Sequence, residues 1–158
     1  MSDFSNNVKE NIKRLETSLN VERNFDILQR EVVIAGRRAG FFFIDGFVQE
    51  DTVEKLIQFF YSLKESDMQS LDTFLEKGMP YTEVSRSSNV DNVITQFLSG
   101  VSIMTIDGFD ECLLIDCRTY PMRSVSEPWK DRVLRGSRDG FVETLVSNAA
   151  LLRRRIRD

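Results

Sequence analysis

Four consecutive large apolar residues, Phe41-Phe42-Phe43-Ile44, constrain the fold of this chain more than any other stretch. Neighbouring side chains of a strand point to opposite faces, so an unbroken apolar run needs cover on both sides of a sheet. The preceding residues 25–36 (FDILQREVVIAG) alternate into a β-branched run. With the punctuation Gly36-Arg37-Arg38-Ala39-Gly40 between them, the two segments read as strands joined by a short turn.

Helical patterns flank this pair. From Asn7 to Leu19 the apolar positions Val8, Ile12, Leu15 and Leu19 recur at helical spacing with charges between them. Glu50 to Lys64 carries a broad stripe of Val53, Leu56, Ile57, Phe60 and Leu63, with acidic Glu50 and Asp51 at its start. A further helix is expected over Met68 to Lys77, stopping at Gly78-Met79-Pro80, and another over Val90 to Leu98, capped by Asn89 and ended by Gly100. Residues 101–106 (VSIMTI) and 111–116 (ECLLID) then form a second strand pair around Asp107-Gly108. Ile44-Asp45-Gly46-Phe47 recurs as Ile106-Asp107-Gly108-Phe109. The flanks of the two copies differ, so the repeat reads as two structural turns whose glycine supplies positive φ, not as a duplicated domain. The expected class is α/β: a compact layer of a mixed β-sheet, built from two strand pairs, with packed helices.

Twelve Phe, three Pro and a hydrophobic content of 41% suit a packed core. The charge is distributed unevenly. Residues 1–117 hold 11 Lys+Arg against 20 Asp+Glu, whereas 118–158 hold 10 against 5, nine of them arginines. A chain with two oppositely charged ends can fold them together or pair with a partner. The Arg135-Gly136 and Arg138-Asp139-Gly140 loop ahead of a helix expected from near Asp139 could hold an anion, but it has neither a Walker ending nor dinucleotide glycine spacing. Guanidinium forks onto carboxylates of the acidic body or of a neighbouring chain are the preferred reading. Asp139 and Glu143 share one helical face, where acidic residues complement the macrodipole without chemistry. Arg153-Arg154-Arg155 follow an apolar face of Phe141, Leu145, Asn148 and Leu152; an acidic chain is a poor nucleic-acid binder, so no nucleic-acid partner is expected.

Catalysis starts at a disadvantage. The chain has no histidine, the commonest general base, and its two cysteines, Cys112 and Cys117, cannot bridge within one strand or complete a four-ligand metal site. They read as reduced thiols of an intracellular protein, and neither metal nor cofactor is expected. The first residues lack a secretory signal, and no window approaches the ~20 apolar residues needed to span a bilayer. This chain by itself is expected to be soluble.

Residues 116–158 closely resemble A subunits of bacterial spore germinant receptors, the GerA type, and their stage V sporulation paralogues. The residues that carry the resemblance are Tyr120-Pro121, Arg123, Glu127-Pro128, Arg135-Gly136, Arg138-Asp139-Gly140-Phe141, Glu143, Asn148 and Arg153-Arg154-Arg155-Ile156. Upstream, Phe43 to Phe47, Leu98-Ser99-Gly100 and Ile106-Asp107-Gly108 also resemble the family. The resemblance implies a non-enzymatic receptor component: a cytoplasmic region of two subdomains ahead of a membrane bundle, acting with B and C subunits and with copies of itself to trigger germination. It places the full-length protein at the cytoplasmic face of the spore inner membrane. It divides the chain into an N-terminal helix (1–20), a first α/β subdomain (21–118) and an arginine-rich junction (119–158) whose helix belongs to a truncated second subdomain. Arg118, Arg123, Glu127, Arg135, Gly136, Arg138, Asp139, Gly140, Phe141, Glu143, Asn148 and Arg153 to Arg155 are then interface or junction residues, with Asp45-Gly46 and Asp107-Gly108 as turns. Family members continue beyond Asp158, so a chain ending there is expected to be an excised piece or a truncated product. The alternative is a small-molecule or anion-binding domain using the Arg135–Arg138 loop.

Overall fold

Phe41 to Ile44 end a strand whose alternate side chains enter two separate cores: Phe42 and Ile44 on one face, Phe41 and Phe43 on the other. The computed structural model describes residues 3–77, 83–119, 141–142 and 145–156. In chain order the elements are α1 (Val8–Leu19), β1 (Ile27–Ile34), β2 (Arg37–Ile44), α2 (Glu50–Ser62), α3 (Leu71–Lys77), β3 (Glu83–Ser87), α4 (Val90–Leu98), β4 (Ser102–Ile106), β5 (Cys112–Asp116) and α5 (Leu145–Ile156). Short 3-10 turns occupy Val21–Arg23 and Glu65–Met68.

The strands make one five-stranded sheet in the order β1-β2-β4-β5-β3. Helices cover both faces, as the apolar run demands. α1 and α4 bring Val8, Ile12, Leu15, Val93 and Phe97 against Phe42, Ile44, Ile103 and Leu114. On the opposite face α2 and α3 bring Leu56, Phe60, Leu71 and Phe74 against Phe41, Phe43, Met104 and Ile115. Cys112 and Cys117 are free thiols in opposite cores, as their odd spacing requires.

The α/β class and both expected strand pairs are present, but two details of the sheet differ from expectation. All four pairings are antiparallel, so the sheet is not mixed. β3 and β4 do run in the same direction through the crossover helix α4, yet β5 lies between them and is antiparallel to both. The second difference is β3 itself, a fifth strand. Its sequence EVSRS has no apolar alternation, and as an edge strand it is held by its ladder to β5. The expected stop at Gly78-Met79-Pro80 lies outside the described residues. Asn89 caps α4 by accepting the Asn92 N–H at 2.8 Å, and Asn7 caps α1 by accepting that of Lys9 at 3.0 Å.

α1 is fastened by polar contacts as well as apolar ones. Asn11 is fully buried; its amide nitrogen donates to the Ser5 carbonyl (2.6 Å) and to Thr105 Oγ1 (3.2 Å), and its oxygen accepts the Ser5 N–H (3.0 Å). A buried amide is tolerated when its bonds are made, and here they pin the start of the chain to the middle of β4.

Candidate functional site

The arginine-bearing end of the chain meets the acidic body through α5. This helix begins at Leu145, later than the start near Asp139 expected from sequence. Phe141 and Val142 are not helical. The side-chain amide of Asn148 explains the difference: Oδ1 accepts the Val142 N–H at 2.7 Å and Nδ2 donates to the Val142 carbonyl at 2.6 Å, so this peptide is satisfied without joining a helix.

Val146, Ala150 and Arg153, spaced four and three apart, form the docked face of α5. Ala150 is fully buried within the α1–α4 core. Arg153 forks onto Asp26: Nε donates to Oδ2 at 2.5 Å and Nη2 to Oδ1 at 2.8 Å. Only 9% of the arginine side chain and 6% of the aspartate side chain remain exposed, so the pair is desolvated and geometrically matched.

The residue beside this fork is a turn. The Asp26 carbonyl accepts the Asp45 N–H at 2.8 Å, which sets Asp26 opposite Asp45-Gly46 at the open end of the β1–β2 hairpin. Gly46 has φ +83, and a Cβ there would lie 2.9 Å from Val146 Cγ1, 3.1 Å from the Val146 carbonyl and 3.2 Å from the Ala150 Cβ. Glycine is therefore required twice, by conformation and by the approach of α5.

The second copy of the motif has the same local geometry. Phe47 N–H donates to the Ile44 carbonyl at 3.1 Å, and Phe109 N–H to the Ile106 carbonyl at 3.2 Å; Gly108 has φ +86. Its neighbour is the start of α1. Asp107 Oδ1 accepts the Val8 N–H at 3.2 Å, and the Gly108 N–H donates to the Asn6 carbonyl at 2.9 Å. Arg37 closes the other side, donating to the Asp107 carbonyl at 3.0 Å and lying 4.9 Å from the Phe109 ring centroid. Each Asp-Gly turn thus seats one helix.

Arg118 makes a local clamp. Its Nε donates to Asp116 Oδ1 at 2.7 Å and its Nη2 reaches Oδ2, while Nη1 approaches the Ser99 carbonyl at 3.5 Å. The hydrogen bonds from Arg118 hold the Asp116 carboxyl below the usual carboxylate range against the opposing effect of its partial burial. Next in the chain, the Thr119 N–H donates to the Phe47 carbonyl at 2.6 Å, so the segment leaving β5 passes the first Asp-Gly turn.

Of the junction residues expected from sequence, Arg123, Glu127, Arg135, Gly136, Arg138, Asp139, Gly140 and Glu143 lie outside the described residues. Phe141 is exposed, as are Arg154 and Arg155. Leu145, Leu152 and Ile156 form an exposed apolar stripe on the outer face of α5. The sequence reading missed Asp26 and Asn11. Asp26 lies 127 residues from Arg153 and carries no local signal. Asn11 does, since it sits in phase with Val8, Ile12 and Leu15 on an otherwise apolar face.

Neither thiol is poised for chemistry. Burial pushes the Cys112 thiol far up from its ordinary value, and burial outweighs the hydrogen bond between Ser102 and Cys117 in raising that of Cys117. Among the described residues no group of three or more potential metal-ligating side chains forms, and no helix is long and apolar enough to cross a membrane. An open groove of about 610 Å³ beside the end of α1 is lined by both signs of charge, including Lys13, Glu16, Glu22 and Arg23.

Comparison with known proteins now bears on this arrangement. Residues 13–158 match the family described as Bacillus/Clostridium GerA spore germination protein, and the chain belongs to that family. It is 29% identical over 154 residues to the stage V sporulation protein AF of Bacillus subtilis, covering 96% of this chain and 31% of that protein. It is 28% identical over 150 residues to spore germination protein KA of Bacillus subtilis, covering 90% of this chain and 27% of the relative. The chain therefore spans about a third or less of the length of these curated relatives. Its fold is similar to the crystallised N-terminal domain of the A subunit of the Bacillus megaterium spore germinant receptor GerK3, with a TM-score of 0.71 at 20% identity, over 99% of this chain and 57% of that one.

Proposed function

We propose that the chain is the cytoplasmic N-terminal part of an A-type subunit of a spore germination receptor, without enzymatic activity of its own, and that it serves assembly and signal coupling. The observation that carries this reading is the family match over residues 13–158, which includes the arginine-rich segment. The docking of α5 gives the reading a physical form: a helix carrying an exposed apolar stripe is seated on the sheet through Ala150 at the Gly46 turn and the Arg153–Asp26 fork. Because α1 packs into the same core as the sheet, residues 1–118 together act as a first subdomain and 119–158 as the junction to a second. B- and C-type subunits, and copies of the A-type subunit, are the partners. The unlike relatives, a stage V sporulation protein and a germination protein, are both compatible with this role.

The test uses the full-length protein in spores. Charge reversal at Arg135 or Arg138 is expected to abolish nutrient-triggered germination while the sheet and the helices packed on it, α1 included, still fold. Normal germination and normal recovery of the receptor complex in both variants would reject the proposal.

A further inference from the structure

We infer that α5 is a detachable strap, clasped to the sheet by the Asp26–Arg153 fork, and that it opens as a unit while the five-stranded core stays folded. Three observations carry this. First, among the twelve residues of α5 only Ala150 and Arg153 are buried, while Val146, Ala149 and Leu151 are half-buried, so the apolar contact that holds the helix down is shallower than that of the core helices. Secondly, the remainder of the docked face is a small-residue seat at Gly46, where Val146 and Ala150 approach the turn backbone. Thirdly, among the described residues α5 adds one buried member, Ala150, to the core clusters, and α1 to α4 cover the two sheet faces.

Elements with few buried apolar contacts open at a lower free energy than the core they rest on. Among the described residues the fork is a buried polar contact between α5 and the sheet, and breaking one side of a buried ion pair leaves the other charge desolvated. Release lets Asp26 and Arg153 rehydrate. The Asn148 amide still holds the Val142 peptide, because that contact lies within the strap. A twelve-residue helix alone is marginal in water, so the released strap exchanges its amide protons readily. Opening would free the helix that bears Leu145, Leu152 and Ile156 to change its position relative to the sheet. The strap rests on the germination reading only for its purpose; its mechanics are a property of this chain.

Amide hydrogen exchange on the whole 158-residue chain tests it, with no germination readout, so failure here and failure of the functional reading remain separate. In the unaltered chain, amides of residues 145–156 should exchange through openings that leave Phe41–Ile44 and Ile103–Ile106 protected. Arg153→Gln should accelerate exchange across α5 on the order of a hundredfold, with the β2 and β4 amides unchanged. The inference is overturned if α5 and the β-strand amides exchange together in the unaltered chain, if Arg153→Gln leaves α5 exchange as it was, or if that variant raises the β2 and β4 rates equally.

Discussion

The two copies of Ile-Asp-Gly-Phe provide a matched experiment on what α5 contributes. Gly46→Ala and Gly108→Ala make the same chemical change at turns of the same shape, with φ +83 and +86. Each introduces a Cβ in the left-handed region, at a cost of about 1–2 kcal/mol. At Gly108 the obstructing atom is the end of the flexible Arg37 side chain, which can swing away. At Gly46 the new methyl meets Val146 Cγ1 at 2.9 Å and the Val146 carbonyl at 3.1 Å, both fixed in a helix. The helix must lift. Lifting exposes the Ala150 methyl, worth about 1 kcal/mol, and lengthens the Arg153 fork, a charge-assisted bond worth a similar amount or more. Gly46→Ala should therefore cost about 2 kcal/mol more than Gly108→Ala, which for a chain of this size is a melting temperature lower by about 4–8 °C. Urea unfolding followed by circular dichroism, with thermal melts in parallel, measures both. Equal losses in the two variants would refute the argument that α5 presses on the first turn and not on the second.

Three further outcomes follow from other parts of the structure. Asn11→Leu should cost about 1–3 kcal/mol, because it leaves the buried Thr105 hydroxyl without its partner, and adding Thr105→Val should recover part of the loss; chemical denaturation of the two variants decides this. Ala35 turns the β1–β2 hairpin with φ +48 ahead of Gly36 at φ +79, so Ala35→Gly should raise the unfolding free energy by about 1 kcal/mol, and an unchanged urea midpoint would count against backbone strain at this site. Asp116 binds its proton less readily when folded than when unfolded, owing to Arg118. Its contribution to stability is therefore complete above the unfolded carboxylate value, near pH 4, and is lost as pH falls through the lower folded value. Asp116→Asn should flatten the pH dependence of the unfolding midpoint in that acid window and leave its slope near neutrality unaltered.

The parts of the fold that were legible in sequence are those decided by local spacing. Phe41 to Ile44 announced a strand with two covered faces because strand side chains alternate, and Val8, Ile12, Leu15 and Leu19 announced α1 because helix positions recur every three or four residues. Gly46 and Gly108 adopt the positive φ expected of Asp-Gly after a buried strand. What sequence could not supply were features created by distant partners. β3 has no pattern of its own and becomes a strand through the β5 backbone. The start of α5 is displaced by one amide side chain, Asn148, that satisfies the Val142 peptide locally. The uneven charge of the chain pointed to arginine–carboxylate contact in general terms. It could not single out Asp26, whose pairing with Arg153 exists only once the β1–β2 hairpin has brought Asp26 beside Gly46.

The arginine-rich end is anchored to the acidic body by the Asp26–Arg153 fork. A double-mutant cycle with Arg153→Met and Asp26→Leu, read by urea unfolding, measures that pairing directly. Each single variant should be destabilised, the double variant should be more stable than the two losses added together, and the coupling should be about 2 kcal/mol or more. Additive losses, with coupling below about 0.5 kcal/mol, would contradict this anchoring.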